Sequence, residues 1–191
     1  NLALYGNTTG YNNIAIGTTS LYSNINGTDN FAVGRNSLYY STSGSYNHAW
    51  GCCALYYNTS GSCNYAAGPA ALYSNSTGCN NIAIGAASLY ANSAGSNNIA
   101  LGLSAGASIT TGAGNVIFGS YGGSASLACT FVVQAGNCQR IKVDGGGLCI
   151  NGSLFASVVA GSASLDSYNS YHIGSGLTTS TGQYNLDRKS T

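Results

Sequence analysis

A period of 17 residues, kept without insertion over the first 119 positions, constrains this chain more than any other feature. Gly recurs at Gly17, Gly34, Gly51, Gly68, Gly85, Gly102 and Gly119, and a second series runs Gly10, Gly27, Gly44, Gly61, Gly78, Gly95 and Gly112. Asn keeps the same interval from Asn13 to Asn115, and Leu-Tyr recurs from Leu4-Tyr5 to Leu89-Tyr90. A fixed period of this length is the signature of stacked structural units, each of which buries its apolar face only against its neighbours.

One unit reads N-[apolar]-A-[apolar]-G-x-x-[A/S]-L-Y-x-N-x-x-G-x-x, as in Asn13 to Asp29. It contains two short strand candidates, one around Ile14-Ala15-Ile16 and one around Leu21-Tyr22, separated by Gly and Asn positions suited to tight corners. The expected fold is therefore all-β: a β-solenoid, or parallel β-roll, of about seven 17-residue coils over residues 1–119. Residues 120–191 lose the period and read as a β-rich connecting or capping module, with strands expected at Thr130 to Gln134 and Gln139 to Val143 and a further block from Leu154 to about Tyr184.

Stacking also explains the composition. Lys and Arg total 5 and Asp and Glu 4, so only 5% of the chain is charged. A charge at a repeat position would face its own copy in the next coil, where like charges repel, whereas Asn, Ser, Thr and Tyr ladders carry no such cost. Nucleic acid is excluded as a partner because Arg35, Arg140, Lys142, Arg188 and Lys189 form no basic stripe. No apolar run is long enough to insert in a membrane as a helix.

Side chains alternate along a strand, so Ile14 and Ile16 share one face and Ala15 takes the other. A two-strand coil is expected to have an interior wide enough only for small side chains. Ala would fill it, and the large pairs Ile14/Ile16, Ile82/Ile84 and Ile99/Leu101 would need another surface. Self-association of several copies about a common axis meets that need, and a homotrimer is expected. His48 and Trp50 occupy the positions of Ile14 and Ile16 and read as core substitutions. Tyr5, Tyr22, Tyr39, Tyr56, Tyr73 and Tyr90 are expected to form one aromatic ladder, with structural stacking favoured over a sugar-binding strip.

The units NIAIGTTSLYSNINGTD and NIAIGAASLYANSAGSN resemble the repeats of trimeric fibre proteins, namely tail-fibre proteins of phages and some large viruses. They are similar, too, to the head repeats of trimeric autotransporter adhesins, whose units are generally shorter. The resemblance covers residues 1 to about 119. It implies parallel β-rolls in a trimer, an extracellular position and a role in attachment. Gln139 to Gly152, QRIKVDGGGLCING, resembles a short β element that follows such repeats in tail fibres and often precedes a self-cleaving chaperone. Cys149 and Ile150 depart from the Gly usual there, and no complete chaperone is recognisable. Asn1 falls partway through a motif and no Met begins the chain, so a piece of a longer polypeptide is expected.

Of seven cysteines, Cys63 and Cys79 lie one residue short of a period apart, and Cys129 and Cys138 flank the expected hairpin. These are the two intrachain disulfide candidates, which would suit an oxidising setting. Cys52 and Cys53 read either as interchain links or as buried free thiols. Asn7, Asn26, Asn58, Asn75 and Asn151 begin N-x-S/T sequons, the acceptor pattern for N-glycosylation in a eukaryotic secretory route. The two His and four Asp are scattered through different segments, so no catalytic, cofactor or metal residue is assigned and the chain is not expected to be an enzyme. The expected function is a structural and adhesive fibre of a virus or phage, extracellular and on the virion surface, with itself as partner and a host-surface receptor or glycan as target. The alternative is a cell-surface adhesin or secreted extracellular filament.

Overall fold

A computed structural model describes residues 2–135, 138–144, 147–150 and 153–156. Seven three-residue strands recur at the sequence period: β1 (Ile14–Ile16), β2 (Phe31–Val33), β3 (His48–Trp50), β4 (Tyr65–Ala67), β5 (Ile82–Ile84), β6 (Ile99–Leu101) and β7 (Val116–Phe118). They pair in parallel, each residue opposite its repeat equivalent, as Ile14 is to Phe31 and Ala83 to Ala100. The β-solenoid expected from the period is the architecture found, and the described residues contain no helix.

Coiling continues past Gly119. β8 (Phe131–Ala135) lies parallel to β7 with Val116 opposite Phe131, a spacing of 15 residues, so an eighth and shorter coil follows the seven regular ones. At about 4.8 Å per strand, eight parallel strands span roughly 34 Å. The chain then reverses: β9 (Cys138–Asp144), β10 (Gly147–Ile150) and β11 (Ser153–Ala156) add in antiparallel order to the same sheet. β9 therefore covers the edge that β8 would otherwise leave open. Most of the block expected from Leu154 to Tyr184 lies outside the described residues.

Only one strand forms per coil. The Leu-Tyr segment is a corner, and its leucine has left-handed φ in every copy: 57° at Leu4, 49° at Leu21, 51° at Leu38 and Leu55, 52° at Leu72 and 48° at Leu89. A bulky L-residue pays about 1–2 kcal/mol for this conformation. Two things hold it there. The leucine amide donates to the carbonyl of the next coil, as Leu21 N–H does to Ser37 O at 2.9 Å, and its side chain is sealed inside the coil. Repeat-position glycines serve backbone contact instead: at Gly68, with φ 139°, an added Cβ would lie 2.6 Å from the Gly85 carbonyl carbon.

The interior is consequently wider than small side chains require. Alanines from the strand centres, Ala32 to Ala100, face leucines from the opposite corner, Leu21 to Leu89, and both series are fully buried. Near the short eighth coil the filling changes. Gly106 replaces the corner leucine, while Ile117 replaces the strand alanine and Ile109 replaces a buried Asn. A Cβ on Gly106 would meet both isoleucine Cδ1 atoms at 3.3 Å, so the lost leucine volume is returned from two other positions.

The remaining interior is polar. Asn30, Asn47, Asn64, Asn81, Asn98 and Asn115 are buried directly over one another. Asn64 Nδ2 donates to Asn47 Oδ1 at 3.1 Å and to Gly78 O at 2.8 Å, and Asn64 Oδ1 accepts from the backbone and side-chain nitrogens of Asn81. Each amide in this series thus uses both protons and its oxygen. A second series at the other corner is imperfect. Asn24 and Asn7 pair, and Asn58, Asn75 and Asn92 pair, but Ser41 stands between the two groups. Its hydroxyl is too short to bridge them, so Asn24 Oδ1 and Ser41 Oγ are buried without partners. Asn92 Oδ1 is unpaired in the same way beneath Ile109. Ser41→Asn is expected to join the two groups and raise unfolding free energy by about 1–2 kcal/mol, measured by denaturant titration. An unchanged or lower midpoint would show that the gap is not the weak point.

Candidate functional site

The outward side of the parallel sheet is the candidate site. In a three-residue strand the central side chain enters the coil and the two flanking ones leave it. Every coil therefore projects a pair of side chains, and eight coils align the pairs into a stripe two residues wide. Ile16 is 59% and Trp50 63% exposed, while Ile14, Ile82 and Ile84 are exposed beside them. These are large apolar groups on an otherwise uncharged strip, the kind of surface a folded chain normally covers. His48 and Trp50, expected as core substitutions, prove to be outward residues on the single chain. The His48 ring stacks between Phe31 at 5.8 Å and Tyr65 at 5.9 Å, so the stripe has an aromatic section from its second to its fourth coil.

The Leu-Tyr corner builds a second surface. With its leucine turned inward, the tyrosine points out. Tyr5, Tyr22, Tyr39, Tyr56, Tyr73 and Tyr90 stack with centroids 4.9–5.3 Å apart, the continuous ladder the repeat predicts. Tyr40 and Tyr57 form a parallel pair 5.3 Å apart that meets the main ladder edge-on. The interior rings cover one another's faces, so the ladder presents mainly ring edges and hydroxyls. This geometry suits stacking stabilisation better than face-on contact with a sugar ring. Removal from water, then the neighbouring phenols, pushes the Tyr56 and Tyr73 hydroxyls above the usual tyrosine range.

The expected Cys63–Cys79 disulfide does not form. Cys63 and Cys79 are both free thiols because they fall in different columns of the repeat. Cys63 is an exposed corner residue at φ 59°, stacked in sequence register with Tyr46 and Asn80. Cys79 stands in the column of Ser62 and Ser96, where its sulfur accepts the Ser62 N–H at 3.4 Å. Cys129 is also free and exposed, closing the eighth coil at the corner Cys63 occupies in the fourth. The side chain of Cys138 lies outside the described residues.

Two of the sequons conflict with the fold. Asn58 and Asn75 are fully buried in the second amide series, with their nitrogens donating to Gly61 O and Gly78 O, so a glycan has no room at either. Asn7 is half-buried and donates to Gly10 O, Asn26 is exposed, and Asn151 lies outside the described residues. Sequence reasoning missed these buried amides because Asn three residues before Gly, among Ser and Thr, reads as a turn residue. The signal available was the identity of Asn across so many coils. Among the described residues no three His, Cys, Asp or Glu side chains cluster as metal ligands, and no helix is long and apolar enough to cross a membrane.

Comparison with protein-family models, curated proteins and solved structures returns no match to this chain.

The tyrosine ladder supports a pH prediction. A phenol whose ionisation is raised by folding favours the native state fully below the unfolded value, near pH 10, and loses that contribution as pH climbs towards the folded value. Stability is expected to be flat to about pH 10 and to fall above it. Ultraviolet titration should show a late-ionising class of phenols that Tyr56→Phe and Tyr73→Phe diminish.

Proposed function

We propose that the chain is the shaft of a homotrimeric fibre, displayed on a virus or phage and serving attachment to a host surface. The observation that carries this reading is the apolar stripe along a rigid stack of coils. A second copy of the same chain is the occupant it fits best, for three reasons. The stripe is nearly free of charge, so it offers a foreign partner little electrostatic specificity. It repeats with the coil, so a parallel copy in the same axial register opposes like layer with like layer along the full length. It is also narrow, which suits side chains converging on an axis better than two flat faces meeting. Cyclic symmetry about that axis satisfies every copy at once, and three copies match the fibre repeats that the sequence resembles.

Attachment is the further part of the proposal. A shaft with no cavity requirement is a spacer, and a trimer presents its distal parts in triplicate, so that weak contacts act together. The shaft would work extracellularly, with a surface glycan or receptor as the target.

Light scattering on the purified chain, with and without reductant, is the test. A mass of three chains in both conditions is expected, because the association is apolar and not a disulfide link. Ile84→Lys and Trp50→Lys should each shift the mass towards one chain while the circular dichroism of the coil stack is unchanged, since neither side chain enters the interior. A stable monomer of the parent chain would overturn the shaft reading.

A further inference from the structure

We propose that Cys52 and Cys53 form a dithiol that undergoes reversible thiol–disulfide exchange with small-molecule disulfides, Cys52 attacking and Cys53 resolving. The pair sits at the corner just after β3, and its two sulfurs are 3.4 Å apart. Their columns are otherwise filled by Thr18-Thr19, Arg35-Asn36, Pro69-Ala70, Ala86-Ala87 and Leu103-Ser104, so the corner does not need thiols to fold. The cysteines add chemistry where the repeat asks only for space.

The coil below equips the two sulfurs differently. An Arg35 guanidinium nitrogen donates to Cys52 Sγ at 3.7 Å, and Asn36 Nδ2 donates to Cys53 Sγ at 3.9 Å. Arg35 has no carboxylate among its described partners, so its charge is directed to the thiol. The hydrogen bond from Cys53 and then that from Arg35 hold the Cys52 thiol below its usual range, while burial and the neighbouring sulfur push Cys53 up. Both residues keep partial solvent access. A readily ionised, accessible thiol beside a second thiol is the arrangement in which an attacking and a resolving sulfur are divided.

The exchange balances in two steps. The Cys52 thiolate attacks one sulfur of a small disulfide, forming a mixed disulfide and releasing one thiolate. Cys53, losing its proton to solvent or to that thiolate, then attacks Cys52 Sγ. The bond between Cys52 and the small thiol breaks, and a second thiol leaves. The protein loses two electrons and two protons, and the small disulfide gains both. Adjacent Cα atoms are about 3.8 Å apart, closer than ordinary disulfides allow, so the product is strained and readily reduced again. It is therefore suited to reversible modification and not to bracing the shaft.

Oxidised glutathione is the probe, applied to the native full chain and followed by intact mass and peptide mapping. The parent protein should lose two hydrogens, mapped to Cys52–Cys53, and dithiothreitol should restore them. Cys53→Ser should instead accumulate one glutathione on Cys52. Cys52→Ser should slow reaction at this corner on the order of tenfold, and Arg35→Gln should slow the first step without changing its product. Cys63 and Cys129, exposed single thiols, are the internal reference. Reaction at either before Cys52, no reaction at Cys52 until the protein is unfolded, or a stable mixed disulfide in the parent protein would each overturn the proposal.

Discussion

Everything in this molecule depends on satisfying buried amides from one coil to the next. A coil of 17 residues closes only short turn bonds within itself, such as Asn58 N–H to Leu55 O at 3.2 Å, so its strand and most of its corner groups reach the coil above or below. The Asn series extends the same rule to side chains. An Asn in the interior is tolerable only because the Asn of the adjacent coil completes it, and the carbonyl it also contacts is that of a repeat-position glycine. Period, glycine spacing and the scarcity of charge all follow from that reciprocity. An insertion between two successive Asn of the series would disturb the amide pair that spans it.

The same reciprocity offsets the strained corners. A left-handed leucine is unfavourable alone, but burial of the side chain and a coil-to-coil hydrogen bond outweigh the local cost. Turning leucine inward is what turns tyrosine outward, so one backbone choice supplies both the apolar core and the aromatic ladder. The strand provides the complementary division, alanine inward and isoleucine outward. Two surfaces thus emerge from the strand and the corner of one motif, and neither requires a residue outside the repeat.

The period made much of this legible: the solenoid, the parallel register, the inward alanines, the outward Ile pairs and the tyrosine ladder. What stayed hidden has physical reasons. Leu-Tyr reads as a strand because apolar residues seldom adopt positive φ, and nothing local to Leu21 or Leu72 announces a corner. Asn58 and Asn75 read as surface sequons because asparagine is usually a turn residue, and only their neighbours in the stack make them interior. The eighth coil escaped notice because its spacing of 15 breaks the clock, though Asn115 still reaches across to the Thr130 amide. The expected Cys63–Cys79 disulfide failed on a one-residue difference in column, which separates the two despite their nearness in the period. Cys52 and Cys53 were visible as a pair, but the Arg35 contact appears only when coils are stacked.

The buried Asn series also gives the rod a direction. Backbone bonds between coils run both ways: Ile14 N–H points forward to Asn30 O, and Gly34 N–H points back to Ile16 O. The links between side-chain amides run one way. From Asn30 to Asn115 each amide nitrogen donates to the oxygen of the preceding Asn in the series, and never the reverse. The column therefore has a donor side facing the early coils and an acceptor side facing the late ones, a polarity written entirely in uncharged side chains.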